Sequence, residues 1–218
     1  MRTKASACLL LLIVVSICKA ETAPAAATVK FTLDFPGANP SQYEISIASD
    51  GRGSYTSNGQ LDKDSTPGDP EALDFSLSEG TRAHIFDLAH RSHFFEGKID
   101  SGRKNLANTG AKTLSYKDAN RTTTATYNYS PQQPVQDLTA IFQSLSTTLE
   151  YGRRLAFFHK YQKLAIDQDL KRMEELQREK SLGDIQAIAT VLKQIADDPS
   201  VITVTRSRAL RLLEGQNR

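Results

Sequence analysis

The chain has 218 residues, of which 27 are basic and 25 acidic, and it carries two cysteines, Cys8 and Cys18. Both cysteines, with Arg2, Lys4 and Lys19, fall in the first twenty residues; discounting those as a leader leaves 198 residues with 24 basic and 25 acidic side chains and no thiol. That balance excludes the concentrated basic face of a nucleic-acid binder, and the missing thiols exclude thiol catalysis, thiolate metal sites and disulfide exchange.

The leader reading rests on order. Arg2 and Lys4 precede an apolar run from Ala5 to Ile17, and Cys18, Lys19 and Ala20 precede Glu21. Early cations, an apolar stretch of about a dozen residues and small residues before a cut after Ala20 fit a secretory signal peptide over residues 1–20. A spanning helix needs roughly 20 apolar residues, and this run is interrupted by Ser6, Ser16 and Lys19. Two alternatives stand beside cleavage. Acylation at Cys18 would leave a lipid anchor, although Ile17 is bulky where a lipobox takes a small residue; the leader could also stay as an uncleaved anchor. The expected location is secreted or periplasmic, with no membrane span after signal removal. A domain of this length can hold together by its core without disulfides.

Residues 21–27, small and Pro-containing, read as a flexible lead-in. Val29, Phe31, Leu33 and Phe35 then alternate with Lys30, Thr32 and Asp34, the period of a half-buried strand stopped by Pro36 and Gly37. Tyr43, Ile45 and Ile47 repeat the pattern, and Asp50, Gly51 and Gly53 turn the chain into a hairpin partner at 54–57. Residues 58–71 form a long polar loop. Leu73, Phe75 and Leu77 make another strand, after which Ser78 or Thr81 caps a helix over about 79–95 with Ile85, Phe86, Leu88 and Ala89 on its buried side. Strands at 112–116 and 123–129, rich in Thr and Tyr, complete a β-rich domain over 28–130.

Beyond Pro134 the period changes to 3.6. Leu138, Ile141, Phe142, Leu145 and Leu149 continue through Leu155, Phe158, Tyr161, Ala165, Leu170, Met173 and Leu176. One long helix or two collinear ones are expected, kinked near Gly152, with Glu150/Arg154, Asp167/Lys171 and Glu174/Arg178 as pairs on the wet side. A second amphipathic helix carries Ile185, Ile188, Ala189, Leu192 and Ile195. Asp197, Asp198 and Pro199 end it, and Ser200 caps a last helix to about Leu213. Residues 134–214 thus form a helical segment. Residues 21–149 carry 11 basic and 15 acidic side chains and residues 150–218 carry 13 and 10, so the tail is the basic part.

Several stretches together resemble a known group: residues 31–37 (FTLDFPG), 43–47 (YEISI), 106–110 (LANTG), 112–116 (KTLSY), 127–130 (YNYS), and 149–155 (LEYGRRL) through 171–174 (KRME). Over nearly all of residues 21–218 the chain is similar to exported proteins of acidobacteria whose function is unknown. The resemblance implies a secreted or periplasmic protein and carries over no residue roles.

Candidate sites are few. Asp87, His90 and His93, with His84 across the helix, are the nearest approach to a metal constellation, but a tight site takes three or four convergent ligands and His-Glu-x-x-His is missing. The acidic loop at 62–71 suggests calcium, yet Gly68 and Leu73 stand where an EF-hand loop needs other residues. Gly-x-Ser-x-Gly and phosphate-binding glycine patterns do not occur, so no catalytic residue is assigned and no cofactor is expected. Carboxylates on strands, Asp34, Glu44 and Asp74, face away from the apolar side. Tyr55, Tyr116, Tyr127 and Tyr129 could line a sheet face as a sugar or peptide platform or serve as ordinary strand residues. Asn120 and Asn128 sit in glycosylation patterns, relevant only in a eukaryote.

The expected architecture is α+β: a mostly antiparallel sheet of about five strands, one intervening helix, and a C-terminal segment of two or three helices packed on the sheet or projecting from it, with the stripe from Leu138 to Leu149 as the natural cover for the sheet's apolar face. The expected function is a non-enzymatic exported module that binds a partner protein or envelope component. A secreted or periplasmic hydrolase acting on an envelope polymer or peptide is the alternative. Oligomeric state is left open.

Overall fold

A computed structural model describes residues 26–61, 71–103 and 105–215. The leader with Cys18 and Ala20, most of the lead-in and nearly all of the 62–71 loop lie outside the described residues. Strands β1 (Thr28–Asp34), β2 (Gln42–Ala48), β3 (Arg52–Ser57) and β4 (Glu71–Ser76) precede helix α1 (Glu79–Arg91). Strands β5 (Ala111–Lys117) and β6 (Thr122–Tyr127) follow. The helical segment comprises α2 (Gln133–Tyr161), α3 (Ile166–Arg178), α4 (Ala189–Asp197) and α5 (Thr203–Glu214). The six strands form one sheet in the order β4-β3-β2-β1-β5-β6, every neighbouring pair antiparallel. The α+β reading holds, with one strand more than the five expected.

Alternation sorts each strand onto two faces. Val29, Phe31, Ile45, Ile47, Tyr55 and Leu114 are fully buried on one face. Across it lies α2, whose Leu138, Phe142, Leu145 and Leu149 are equally buried. Phe142 stacks on Phe31 with ring centroids 5.1 Å apart and planes 3° from parallel. The predicted cover is therefore the actual one, joined by Ile85, Leu88 and Ala89 of α1. Burying the two phenyl rings supplies on the order of 2–3 kcal/mol each. The other face stays open and is rich in Ser and Thr, including Thr28, Thr32, Ser46, Ser54, Thr113, Ser115 and Thr124.

Several boundaries differ from expectation: β6 ends at Tyr127, α4 starts at Ala189 after a 3-10 turn, and three helix ends carry a clear physical reason. Helix α1, capped by Ser78, stops at Arg91 instead of about Phe94. The Ser92 hydroxyl bonds back to the Leu88 carbonyl (2.7 Å), and His93, Phe94 and Phe95 all take left-handed backbone angles, φ 49°, 52° and 66°. Such angles cost roughly 1–2 kcal/mol per residue; they are offset by turning Phe95 into the core, 1% exposed, and Phe94 onto Tyr116 at 4.6 Å. Helix α2 passes Gly152 unbroken and ends at Tyr161, with Gln162 at φ −144°. Gly152 is a contact point: a Cβ there would sit 2.4 Å from Ile188 Cγ2, so the bare backbone admits the turn at Ile185–Ile188. Helix α5 begins after Ile202, whose apolar side chain cannot cap it, while Ser200, two residues earlier, directs its hydroxyl to Asp198 (2.6 Å).

Among the described residues, no helix is long and apolar enough to cross a membrane.

Candidate functional site

The most elaborate polar constellation lies where α2 crosses β3. On β3 the inward positions are Tyr55 and Ser57; on α2 they are Ser146, Glu150 and Arg153, one helical turn apart. The Glu150 and Arg153 side chains are 11% and 8% exposed. Glu150 Oε1 accepts from the Tyr55 hydroxyl (2.8 Å), from the Ser57 hydroxyl and from Arg153 Nη1 (3.0 Å), while Oε2 accepts from the same Nη1 (3.2 Å). Arg153 Nη1 also donates to Ser57 Oγ (2.7 Å), and Tyr55 bonds Ser146 Oγ (3.0 Å). Gly59 closes the site, since a Cβ there would come within 2.4 Å of Glu150 Oε2.

Burial first, and the Glu150 charge second, push the Tyr55 phenol well above the ordinary tyrosine range, so it remains a donor. A carboxylate that accepts from a phenol, a hydroxyl and a guanidinium has little capacity left to abstract a proton from a substrate. The network's chemistry is that of a clamp between helix and sheet. Removing either charge would strand the other, at a cost of about 3–5 kcal/mol.

Glu150 was expected to pair with Arg154 in solvent. The i,i+4 rule supplied the wrong partner because position 150 faces the sheet; Arg154 instead forms a two-pronged pair with Asp169 of α3 (2.9 and 3.2 Å). The other two expected pairs also give way to contacts between helices. Asp167 binds Arg208 (3.0 Å), and Glu174 binds both Arg208 and Arg211 of α5. The helix-bundle half is thus laced by ions across α3 and α5, which spacing along one helix cannot reveal.

Arg153 also borders a hollow of about 850 Å³ between the β3–β4 side of the sheet and the residues from Gln186 to Gln194. Gly53, Leu73, Phe75 and Ile188 line it beside polar Gln186, Thr190 and Gln194.

A second buried charge sits at the other end of the sheet. Lys112, 4% exposed, has its ammonium within hydrogen-bond distance of the Thr109 hydroxyl (2.8 Å) and the carbonyls of Asn128 (3.0 Å), Thr109 (3.1 Å) and Gly110 (3.2 Å). Desolvation lowers its pKa. It holds the 109–110 turn against residue 128 and offers no open side to a reactant.

The residue types of hydrolytic chemistry meet at one surface point. His159 Nε2 lies 2.9 Å from Asp198 Oδ2, Lys163 Nζ lies 2.7 Å from the same oxygen and also contacts the Ser200 hydroxyl, and Ser200 donates to Asp198 Oδ1 (2.6 Å). Lys163 first, and Ser200 next, hold the Asp198 carboxyl well below the usual carboxylate range. In a nucleophilic triad the serine proton goes to a base that can carry it away. Here it is committed to that low-pKa carboxylate, and no contact joins Ser200 to His159, so the cluster ties the α2 end to the α4–α5 turn.

The metal candidates do not converge. Asp87 pairs with Arg91 (3.5 Å), His90 meets Phe94 edge-on, and His93 sits exposed in the left-handed turn off the helix. His90 and His93 border a hollow with Arg91 and Arg121, two guanidiniums that disfavour a cation. Among the described residues no three His, Cys, Asp or Glu side chains are grouped to hold a metal ion. The tyrosine platform divides likewise: Tyr55, Tyr116 and Tyr127 are buried on the covered face, and Tyr129 alone of the four is exposed. Asp34 and Asp74 are exposed on the open face, where Glu44 pairs with Lys30 (2.7 Å).

Large apolar side chains come to the surface at the far end of α2. Leu164 is 89% and Tyr161 61% exposed, and Phe157 lies 5.1 Å from the Tyr161 ring. Lys160 reaches over that ring (5.0 Å to its centre). Sequence reasoning placed Tyr161 on the buried stripe; the chain breaks at Gln162, so the last turn has no sheet beneath it. No protein-family model matches the chain, and neither does any curated protein.

Proposed function

We propose that the protein is an exported, non-enzymatic binding module that holds a partner protein through the apolar end of α2. The observation that carries this reading is the exposure of Leu164 and Tyr161, the Tyr161 ring tilted against Phe157 and overlain by Lys160. Contiguous exposed apolar side chains rimmed by polar ones mark interaction surfaces, and the Lys160 ammonium beside them suits a partner whose contact is apolar with an acidic neighbour. The interior charges support the same reading, since Glu150, Arg153 and Lys112 engage internal groups. Export rests on the leader pattern of residues 1–20 and on the resemblance to exported acidobacterial proteins.

The test is capture from envelope extract with residues 21–218, wild type beside a Tyr161→Ser, Leu164→Ser variant. A discrete protein retained by the wild type and lost with the variant is expected, with cosedimentation on anionic vesicles run in parallel. Equal retention by both forms overturns the reading, and binding to vesicles without a protein partner replaces it with a lipid surface.

A further inference from the structure

The two edges of the sheet are not alike. Edge strand β4 carries an exposed carboxylate, Asp74, the kind of charge that discourages another strand from docking. Edge strand β6 reads TTTATY: no charge, no Pro, no Gly, and high strand propensity throughout. Thr122, Thr124 and Thr126 on it are exposed.

The phase of the β5–β6 ladder determines what this edge offers. Asp118 N donates to Arg121 O at the hairpin, which makes that pair a bonded one. Alternation along the register then directs Thr123, Ala125 and Tyr127 to β5 and turns the backbone N–H and C=O of Thr122, Thr124 and Thr126 outward. Side-chain geometry agrees, because Ser115···Thr124 and Thr113···Thr126, the closer non-bonded pairs, touch through their hydroxyls at 3.0 Å.

We propose that β6 is an association edge at which a second copy of the chain pairs antiparallel about a two-fold axis through Thr124. Centring there sets Thr124 opposite its own copy and Thr122 opposite Thr126, so that about six backbone hydrogen bonds form and the outward groups of both strands are satisfied. The strand has no charge to repel its copy, and the hydroxyl-bearing face runs on across the junction. A single strand pair buries less than the roughly 1,200 Å² of a stable interface, so the dimer is weak and concentration-dependent.

Sedimentation equilibrium of residues 21–218 tests this beside Thr124→Lys, a change at an exposed position away from the core. The wild type is expected to dimerise, and the lysine variant, with two like-charged side chains rooted on Cα atoms about 5.5 Å apart at the axis, to associate at least about tenfold more weakly. Mixing Thr124→Lys with Thr124→Glu is expected to give a heterodimer tighter than the self-association of either variant alone. Residues 21–218 contain no cysteine, so Thr124→Cys should yield a symmetric disulfide under mild oxidation and Ala72→Cys, on β4, should not. A monomeric wild type, or a dimer indifferent to Thr124→Lys, overturns the proposal.

Discussion

The two faces of the sheet are built from the same strands and the same alternation, yet they answer to different physics. On the covered face, buried aromatic and aliphatic side chains meet α1 and α2, and the polar groups Tyr55, Ser57, Glu150 and Lys112 each find a partner. On the open face, hydroxyls stand in solvent, and the Lys30–Glu44 pair has both side chains more than 40% exposed. Packing dictates residue identity on one side, whereas on the other solubility and strand propensity leave wide choice.

The largest effect that would test this contrast is removal of the cover. A chain ending before Ser130 loses α2 and exposes Phe31, Ile45 and Leu114, and it is expected to aggregate with no cooperative unfolding transition, read by light scattering and circular dichroism. Next in size is Phe142→Ala, which opens a cavity against Phe31 and should cost about 3–5 kcal/mol in denaturant unfolding.

Alkaline titration comes third. Burial pushes the Tyr127 phenol, bonded to Thr139 (2.6 Å), from 10.0 up to about 12, and it pushes Tyr43 and Tyr55 in the same direction. A group whose folded pKa is raised stabilises fully below its unfolded value and loses that contribution as pH climbs through the folded one. Stability should therefore decline from about pH 10 to 12, and Tyr127→Phe should flatten part of that slope. A decline unchanged by the substitution would remove Tyr127 as a cause. The smallest effect is on the open face: Thr113→Val, which breaks only the hydroxyl contact to Thr126, should alter stability by no more than about 0.5 kcal/mol.

What could be read from residue order followed the same division. Period two in β1 and β2 and period 3.6 from Leu138 to Leu149 each reflect one buried side, so element type, the class and the sheet's cover were legible. Helix ends were harder, because the left-handed run at His93–Phe95 is dictated by where Phe95 must go, a tertiary demand with no local signal. The Glu150–Arg153 network was missed for a related reason. Spacing alone offered Glu150 a partner at i+4, but only the position of β3 reveals that i+3 faces inward with it. One clue was available: Glu150 directly follows Leu149 on the apolar side of the helix, where an acidic residue is conspicuous.

Helix α2 has 29 residues and so runs about 43 Å, its first half lying on the sheet and its second packing with α3 and α4. A shaft of that length belongs to both halves at once, so neither can come apart without fraying the element the other rests on. The β-rich and helical portions should accordingly melt in a single transition, and amides in the middle of α2 should exchange with solvent only as fast as the whole molecule opens.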